Sequence, residues 1–356
     1  MQGSHVSNPR YDREFDSRRR NPAFAAALNP GPWVRMTLRN RLAMYSHPRT
    51  WIDKGVELAW RTLPGPRTAT PKITWPVDRE ALRDVVVRWP WVEWKARRMI
   101  GVQVRHWLSH YVQTVDAAIP QPYDKVINFE VDVRGKRHRV MVETSDYADL
   151  NETAYADAEL YFKMEFAKSG YGDRERLLPG GYTPNDLAIY RYLPRLRALR
   201  DHAPPLYEVS GRYGLSMEKR RVPMEILRGS SRFSFYGGEG KVRYSRYLRE
   251  VARSKVCIDL PSMSSVTFRM IDYLAIGTCI VGPPHTNKMI EPFIDGVHVA
   301  YCKPDYSDLE AVCVRLLEDD EARLALVRNS RAFFDTYLHP VQLGAYYAHH
   351  MLERLG

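Results

Sequence analysis

From Leu206 onward the apolar positions switch between two periods. The runs Leu206–Ser210, Phe233–Tyr236, Val256–Leu260, Thr278–Val281 and Val297–Tyr301 predict short buried strands. Between them, Met217–Leu227, Arg243–Arg253 and Val266–Ile276 repeat at helical spacing, a short helical turn follows Val281, and two or three further helices complete the chain. Strict alternation of this kind predicts a doubly wound parallel sheet, whose ligands sit outside the C-terminal ends of its strands.

Before Leu206 the pattern is less regular. Lys125–Val131 and His138–Glu143, separated by Arg134-Gly135-Lys136, predict a hairpin. Ala158–Phe166 predicts a third strand, and Asn185–Arg200 a helix led by an Asn or Asp cap. Strand signals begin only after Asp124. Upstream, Pro90 to Ala118 places Trp91, Trp94, Ile100, Val104, Trp107, Leu108 and Tyr111 at roughly helical spacing. Asn21 to Leu63 reads as short amphipathic helices, Pro64 to Pro76 as a linker, and the first 21 residues as a polar, basic, disordered arm. The boundaries expected are 1–21, 22–90, 91–203 and 204–340, with a final helix at 341–356.

Composition sharpens this division. At 356 residues there is room for about two domains with a core each, and 44% apolar with 27% charged residues is ordinary for globular chains. The net charge of +11 is confined to one end: residues 1–107 hold 20 basic and 9 acidic residues, the remainder 33 of each. All eight tryptophans, Trp33 to Trp107, share that segment, whereas Cys257, Cys279, Cys302 and Cys313 all lie late. No C-x-x-C and no Cys/His spacing closes a tetrahedral site, so we expect no metal, and buried, reduced thiols in a cytoplasmic protein. No signal peptide and no run of about eighteen apolar residues is present, which predicts a soluble or peripheral protein.

Val256 to Gly282 holds the most informative chemistry. A buried strand stops at Pro261, a Ser-rich loop follows, and Ser264 or Ser265 would cap a helix that ends at Gly277. Unpaired N–H groups and the positive end of the helix dipole at a strand's C-terminal edge suit a diphosphate. On that helix Ser265, Arg269 and Asp272 fall at i, i+4 and i+7, so a hydroxyl, a cation and a carboxylate would share one strip, suited to phosphate oxygens and ribose hydroxyls. The simpler reading is a serine cap beside a surface ion pair.

From Leu206 to Leu338 the chain resembles the C-terminal half of GT-B glycosyltransferases. The resemblance rests on Ile271-Asp-Tyr-Leu-Ala-Ile-Gly, Thr278-Cys-Ile-Val-Gly, Glu291, Asp295-Gly296, Asp305 or Asp308, and Leu316-Leu317-Glu318-Asp319, in the family's order and spacing. It implies an α/β, GT-B-like fold of two Rossmann-like domains facing a cleft, here with a helical basic N-terminal extension. It further implies a nucleotide-sugar donor as co-substrate, no cofactor, 91–203 as the acceptor side and 204–340 as the donor side. Donor contacts would come from Ser264, Ser265, Arg269, Asp272 and, in Gly237-Gly-Glu-Gly-Lys, Lys241. One departure stands out. Where retaining members carry Glu-x7-Glu, this chain has Ser264 and Asp272, so the first carboxylate is missing and a retaining mechanism does not carry over by analogy.

For the chemical step, Glu143, Asp146 and Asp149 follow a predicted strand where an acceptor-side base would sit, although an acid-rich, solvated loop would look the same. His285, in Gly282-Pro-Pro-His, would lie at the cleft mouth, and Lys163 is a second candidate phosphate partner. Glu130-Val-Asp132 has the spacing of a metal-binding Asp-x-Asp, but period-two alternation in a half-solvated strand produces it equally. The basic, Trp-rich residues 1–107 admit three readings: peripheral contact with an anionic membrane carrying a lipid-linked acceptor, contact with nucleic acid whose modified base is the acceptor, or simply a core of tryptophans solvated by arginines. A glycan acceptor, and a nucleotide-binding module without turnover, stay open beside these.

Overall fold

The computed structural model describes residues 48–63, 65–66, 69–92, 95–214, 218–238 and 242–356. The arm expected at 1–21, the start of the helical extension and Lys241 lie outside the described residues. The chain divides into two compact units, 1–58 and 59–356, within helix α1 (Pro48–Thr62). On that helix, Trp51 and Ile52 are each more than 60% exposed.

The larger unit holds two sheets. The first is built from β1 (Val86–Pro90), helix α2 (Lys95–Leu108), β2 (Gln113–Ala117), β3 (Val126–Val133), β4 (Lys136–Glu143), helix α3 (Glu152–Asp157), β5 (Leu160–Lys163) and β6 (Leu177–Pro179), in the order β2-β1-β3-β4-β5-β6. Only the β1–β3 and β3–β4 pairs are antiparallel. The hairpin is as expected: Val133 pairs with Lys136, and Arg134 (φ 49°) with Gly135 (φ 77°) makes the two-residue turn that the twist of the strands favours.

Two expectations fail here, and a third shifts by a few residues. Strands occur before Asp124, since β1 and β2 pair in parallel around α2. The helical run expected over Pro90–Ala118 is therefore a helix followed by a strand, because Tyr111 and Val115 continue the apolar spacing of α2 by coincidence. The helix expected from Asn185 is present but starts later, as α4 (Ala188–His202), and the expected acidic cap is Asp186, whose Oδ1 accepts from Ala188 N at 2.8 Å.

The second sheet contains β7 (Tyr207–Arg212), helix α5 (Arg221–Gly229), β8 (Phe235–Gly238), helix α6 (Tyr244–Ala252), β9 (Ser254–Ile258), helix α7 (Phe268–Ile276), β10 (Cys279–Gly282) and β11 (Ala300–Tyr301). All its pairs are parallel, in the order β11-β10-β9-β7-β8, the doubly wound topology that the alternation predicts. Helices α8 (Leu309–Glu318) and α9 (Asp320–Phe333) follow. A π-helical turn, Phe334–Leu338, then leads into α10 (Pro340–Leu355), which packs back on α2 of the first sheet's half. There Tyr347 stacks on Phe162 at 4.0 Å between ring centroids and lies beside Trp107. One buried apolar cluster consequently runs through both halves, from Trp107 and Phe162 to Met270 and Ile271. Among the described residues no helix is long and apolar enough to cross a membrane.

Half-buried imidazoles beside this core make the fold acid-sensitive. Desolvation, reinforced by neighbouring cationic or imidazole groups, drives His106 and His339 down to about 3. Both stay neutral in the folded chain while the unfolded chain takes up protons near pH 6.5, so stability falls as pH drops below that value. At pH 5.5 the expected loss relative to pH 7.5 is on the order of 1 kcal/mol for each imidazole. Urea unfolding at the two pH values checks it, and the His339→Asn variant should show a smaller difference.

Candidate functional site

The C-terminal ends of β4 and β5 in one half and of β7 and β9 in the other converge on a cleft of about 710 Å³. Thr144, Ser145, Asp146, Met164 and Glu165 line it from the first half, and Tyr213, Ser262, Ser264, Thr267 and Arg269 from the second. This is the placement that the parallel-sheet rule demands.

The turn from β9 into α7 forms one wall. Thr267, not Ser264 or Ser265, is the N-cap: its hydroxyl accepts from Met270 N at 3.2 Å and donates to Asp259 Oδ1 at 2.6 Å. The helix ends at Gly277 (φ 81°). Because it begins only at Phe268, the strip Ser265, Arg269, Asp272 expected on one face does not exist. Ser264 lies before the helix, buried at the cleft wall, with its hydroxyl 3.1 Å from that of Ser262. Ser265 accepts from Thr286 N at 2.8 Å.

Arg269 faces the cleft. Its guanidinium lies 5.0 Å over the Tyr213 ring and donates to the Leu260 carbonyl at 3.0 Å, while its buried Nε–H has no partner. Asp272 points elsewhere. It is fully buried, accepting from Tyr244 Oη at 2.6 Å and Asn185 N at 3.3 Å, both of which line the cleft and cover it. Burial pushes its carboxyl up to about 8. Asp272 thus touches the cleft only through its two partners.

On the acceptor side the expected bases separate. Glu143 is buried in a closed network, accepting from Lys163 Nζ at 3.0 Å, Tyr161 Oη at 2.9 Å and Asn151 N at 3.4 Å. Lys163 also donates to the Tyr147 carbonyl. Both charges are consumed by each other, so neither the base role of Glu143 nor the phosphate role of Lys163 is available. Asp146 does line the cleft, at its exposed rim, where partial desolvation raises its carboxyl against the pull of Lys125. Asp149 is exposed and is not part of the lining.

His285 is not at the cleft mouth. It packs between Phe293 and Tyr301, with Nδ1 3.0 Å from the Tyr301 hydroxyl and Nε2 3.9 Å from Asp259. Glu130 and Asp132 are held by arginines, Asp132 by Arg88 and Arg137 at 2.8 Å each, which leaves the Asp-x-Asp reading without free ligands.

Glu165 is the residue that sequence reasoning passed over. It is 7% exposed, lines the cleft, and through Oε2 accepts from Asn287 Nδ2 at 2.6 Å and from Ser265 N at 3.3 Å, both in the other half. Desolvation, with Asp146 adding to it, pushes its carboxyl up to about 8. Next to it the halves are joined by backbone bonds, Lys288 N to the Phe166 carbonyl at 2.8 Å and Lys168 N to the Thr286 carbonyl at 3.3 Å.

Two α/β halves, one a mixed six-stranded sheet and the other a wholly parallel doubly wound sheet, thus turn strand ends toward one cleft. Residues 220–343 match the model of a family described as glycosyl transferase-like, which spans most of the second sheet and the helices after it. Crystal structures of Anabaena HepE, one in complex with UDP and glucose and one in complex with UDP, are similar to this chain. Each is 12% identical over 57% of it, with TM-scores of 0.37 and 0.39, and the match covers 67% and 68% of HepE respectively. Comparison with curated proteins finds no match.

Proposed function

We propose that the protein transfers a sugar from a nucleotide-sugar donor to an acceptor hydroxyl, the donor diphosphate lying against the N-terminus of α7. The observation that carries this reading is Arg269: a cation held against Tyr213 on the cleft wall, its buried Nε–H unpartnered, beside the N-terminus of α7. Such an arrangement stabilises an anion by charge-assisted hydrogen bonds and by the helix dipole. Ser264 and Ser265 add polar groups at the same turn. The positive charge needed by a departing diphosphate is already present there, so we assign no metal and no cofactor to the step. Asp272 would act through Tyr244, whose hydroxyl it orients, and Lys241 would be a further donor contact.

The acceptor enters from the first half, whose Asp146 and Thr144 edge the cleft. Exposed Trp51 and Ile52 on α1 support a lipid-linked acceptor at a membrane surface over a soluble glycan or a modified DNA base. Four unpaired, buried cysteines support a reducing, cytoplasmic setting.

Titration calorimetry with UDP, GDP, ADP and dTDP tests the site. At least one is expected to bind, and Arg269→Ala to weaken that binding at least about tenfold, the worth of one charge-assisted bond. Binding by none of the four, or undiminished binding by the variant, would remove the assignment. Transfer assays of the glucose ester of the nucleotide that binds, with glycan, lipid-linked and DNA acceptors, then separate a transferase from a module that only binds nucleotide.

A further inference from the structure

We infer that Glu165 is the proton-transfer group of the cleft and that Asn287 is the residue that positions it. The inference rests on the transferase reading and adds to it the base that Glu143 and His285 do not supply.

Three observations carry it. Glu165 sits in the loop just past β5, at the C-terminal edge of the first sheet, across the cleft from Arg269 and Ser264. Its orientation is fixed from the opposite half, because both bonds to Oε2 come from the donor-side loops at 265 and 287. The Asn287 amide is itself anchored by its Nδ2 bond to the Tyr182 hydroxyl at 2.5 Å. The Tyr182 hydroxyl is a further hydrogen-bond partner of the carboxylate, and in the proposed step Oε1 is the oxygen that takes the proton. Finally, its environment makes it a poised base. Its acidity is lowered by burial, with Asp146 contributing, while the charged or titratable neighbours Lys163, Tyr171 and Tyr182 surround it. A base titrating near the working pH is the effective one.

In the step this implies, Oε1 accepts the acceptor hydroxyl proton and the hydroxyl oxygen forms a bond to the anomeric carbon. The bond from that carbon to the diphosphate breaks, and its electron pair leaves on the diphosphate oxygen, against Arg269 and the start of α7. One displacement at one carbon inverts its configuration.

The test uses the full chain and the glucose ester of whichever of UDP, GDP, ADP or dTDP binds, with water or the acceptor as nucleophile. Glu165→Gln, which keeps size and an accepting oxygen, is expected to bind nucleotide within about twofold of wild type and to lose turnover by about 10²- to 10⁴-fold. Wild-type turnover should rise with pH through the range where Glu165 ionises, and proton NMR should show sugar released with inverted configuration. Asn287→Ala removes a donor to the carboxylate, so the rising limb should move to higher pH, with turnover recovered at alkaline pH. This second variant reads the same assignment if Glu165→Gln proves unstable. Unchanged turnover in Glu165→Gln, retained configuration, or an unmoved limb in Asn287→Ala with nucleotide still bound would overturn the role of Glu165 while leaving the transferase reading intact. Failure of the wild-type protein to bind any of the four nucleotides would overturn both.

Discussion

Replacing Lys163 by methionine is expected to destabilise the folded chain by about 3–5 kcal/mol, because it leaves the carboxylate of Glu143 buried without its counter-charge. Glu143 is 3% exposed and Lys163 fully buried, so water cannot take the place of the lost ammonium. The remaining bonds from Tyr161 and Asn151 N satisfy the carboxylate only in part. Against a typical total stability of roughly 5–15 kcal/mol, that loss would bring the midpoint of urea unfolding down sharply. The double variant Lys163→Met, Glu143→Leu should recover much of it, since removing both charges also removes their desolvation cost. A loss under about 1 kcal/mol in the single variant would mean that the pair is hydrated and that Lys163 could serve a ligand after all.

A second large effect is expected at Gly344, where two opposing terms can be ranked. In the middle of α10, alanine should by helix propensity be favoured over glycine by about 1 kcal/mol. A Cβ on Gly344, however, would press into the Trp107 carbonyl, far inside contact distance, and would lie 2.9 Å from Tyr111 Cδ2. The crowded atoms are mainly the backbone of α2, which cannot rotate away as a side chain can. Overpacking costs of about 1–3 kcal/mol therefore outweigh propensity, and Gly344→Val should be worse than Gly344→Ala. Urea unfolding gives the sign. A stabilised alanine variant would show that α10 does not approach α2 this closely.

The parts of the molecule legible in the sequence share a physical cause. In the second half each strand is short, apolar and flanked by turn residues, and each helix shows its own period, so local pattern suffices to give the topology. Strands β1 and β2 escaped because each is five residues long and is stabilised by pairing with partners far away in sequence, β1 with β3 across some forty positions. The same distance effect hid the base. Ala158–Phe166 alternates like one strand, but pairing with β6 ends it at Lys163, which releases Glu165 into the cleft loop. On the donor side, the right turn was identified but its cap was misplaced by two or three residues, which leaves Ser265 outside the helix, while Asp272 is covered by Tyr244 and Asn185, partners distant in sequence.

The return of α10 to the first half also has a mechanical meaning. The chain leaves that half through α4, which packs on α6 and α7, and comes back through the π-helical turn at Phe334–Leu338. Two bodies tied by a single strand of polymer can swivel about it in any direction. Tied at two separate points and sharing one buried cluster, the halves are braced against the swivel that one linker alone would leave open.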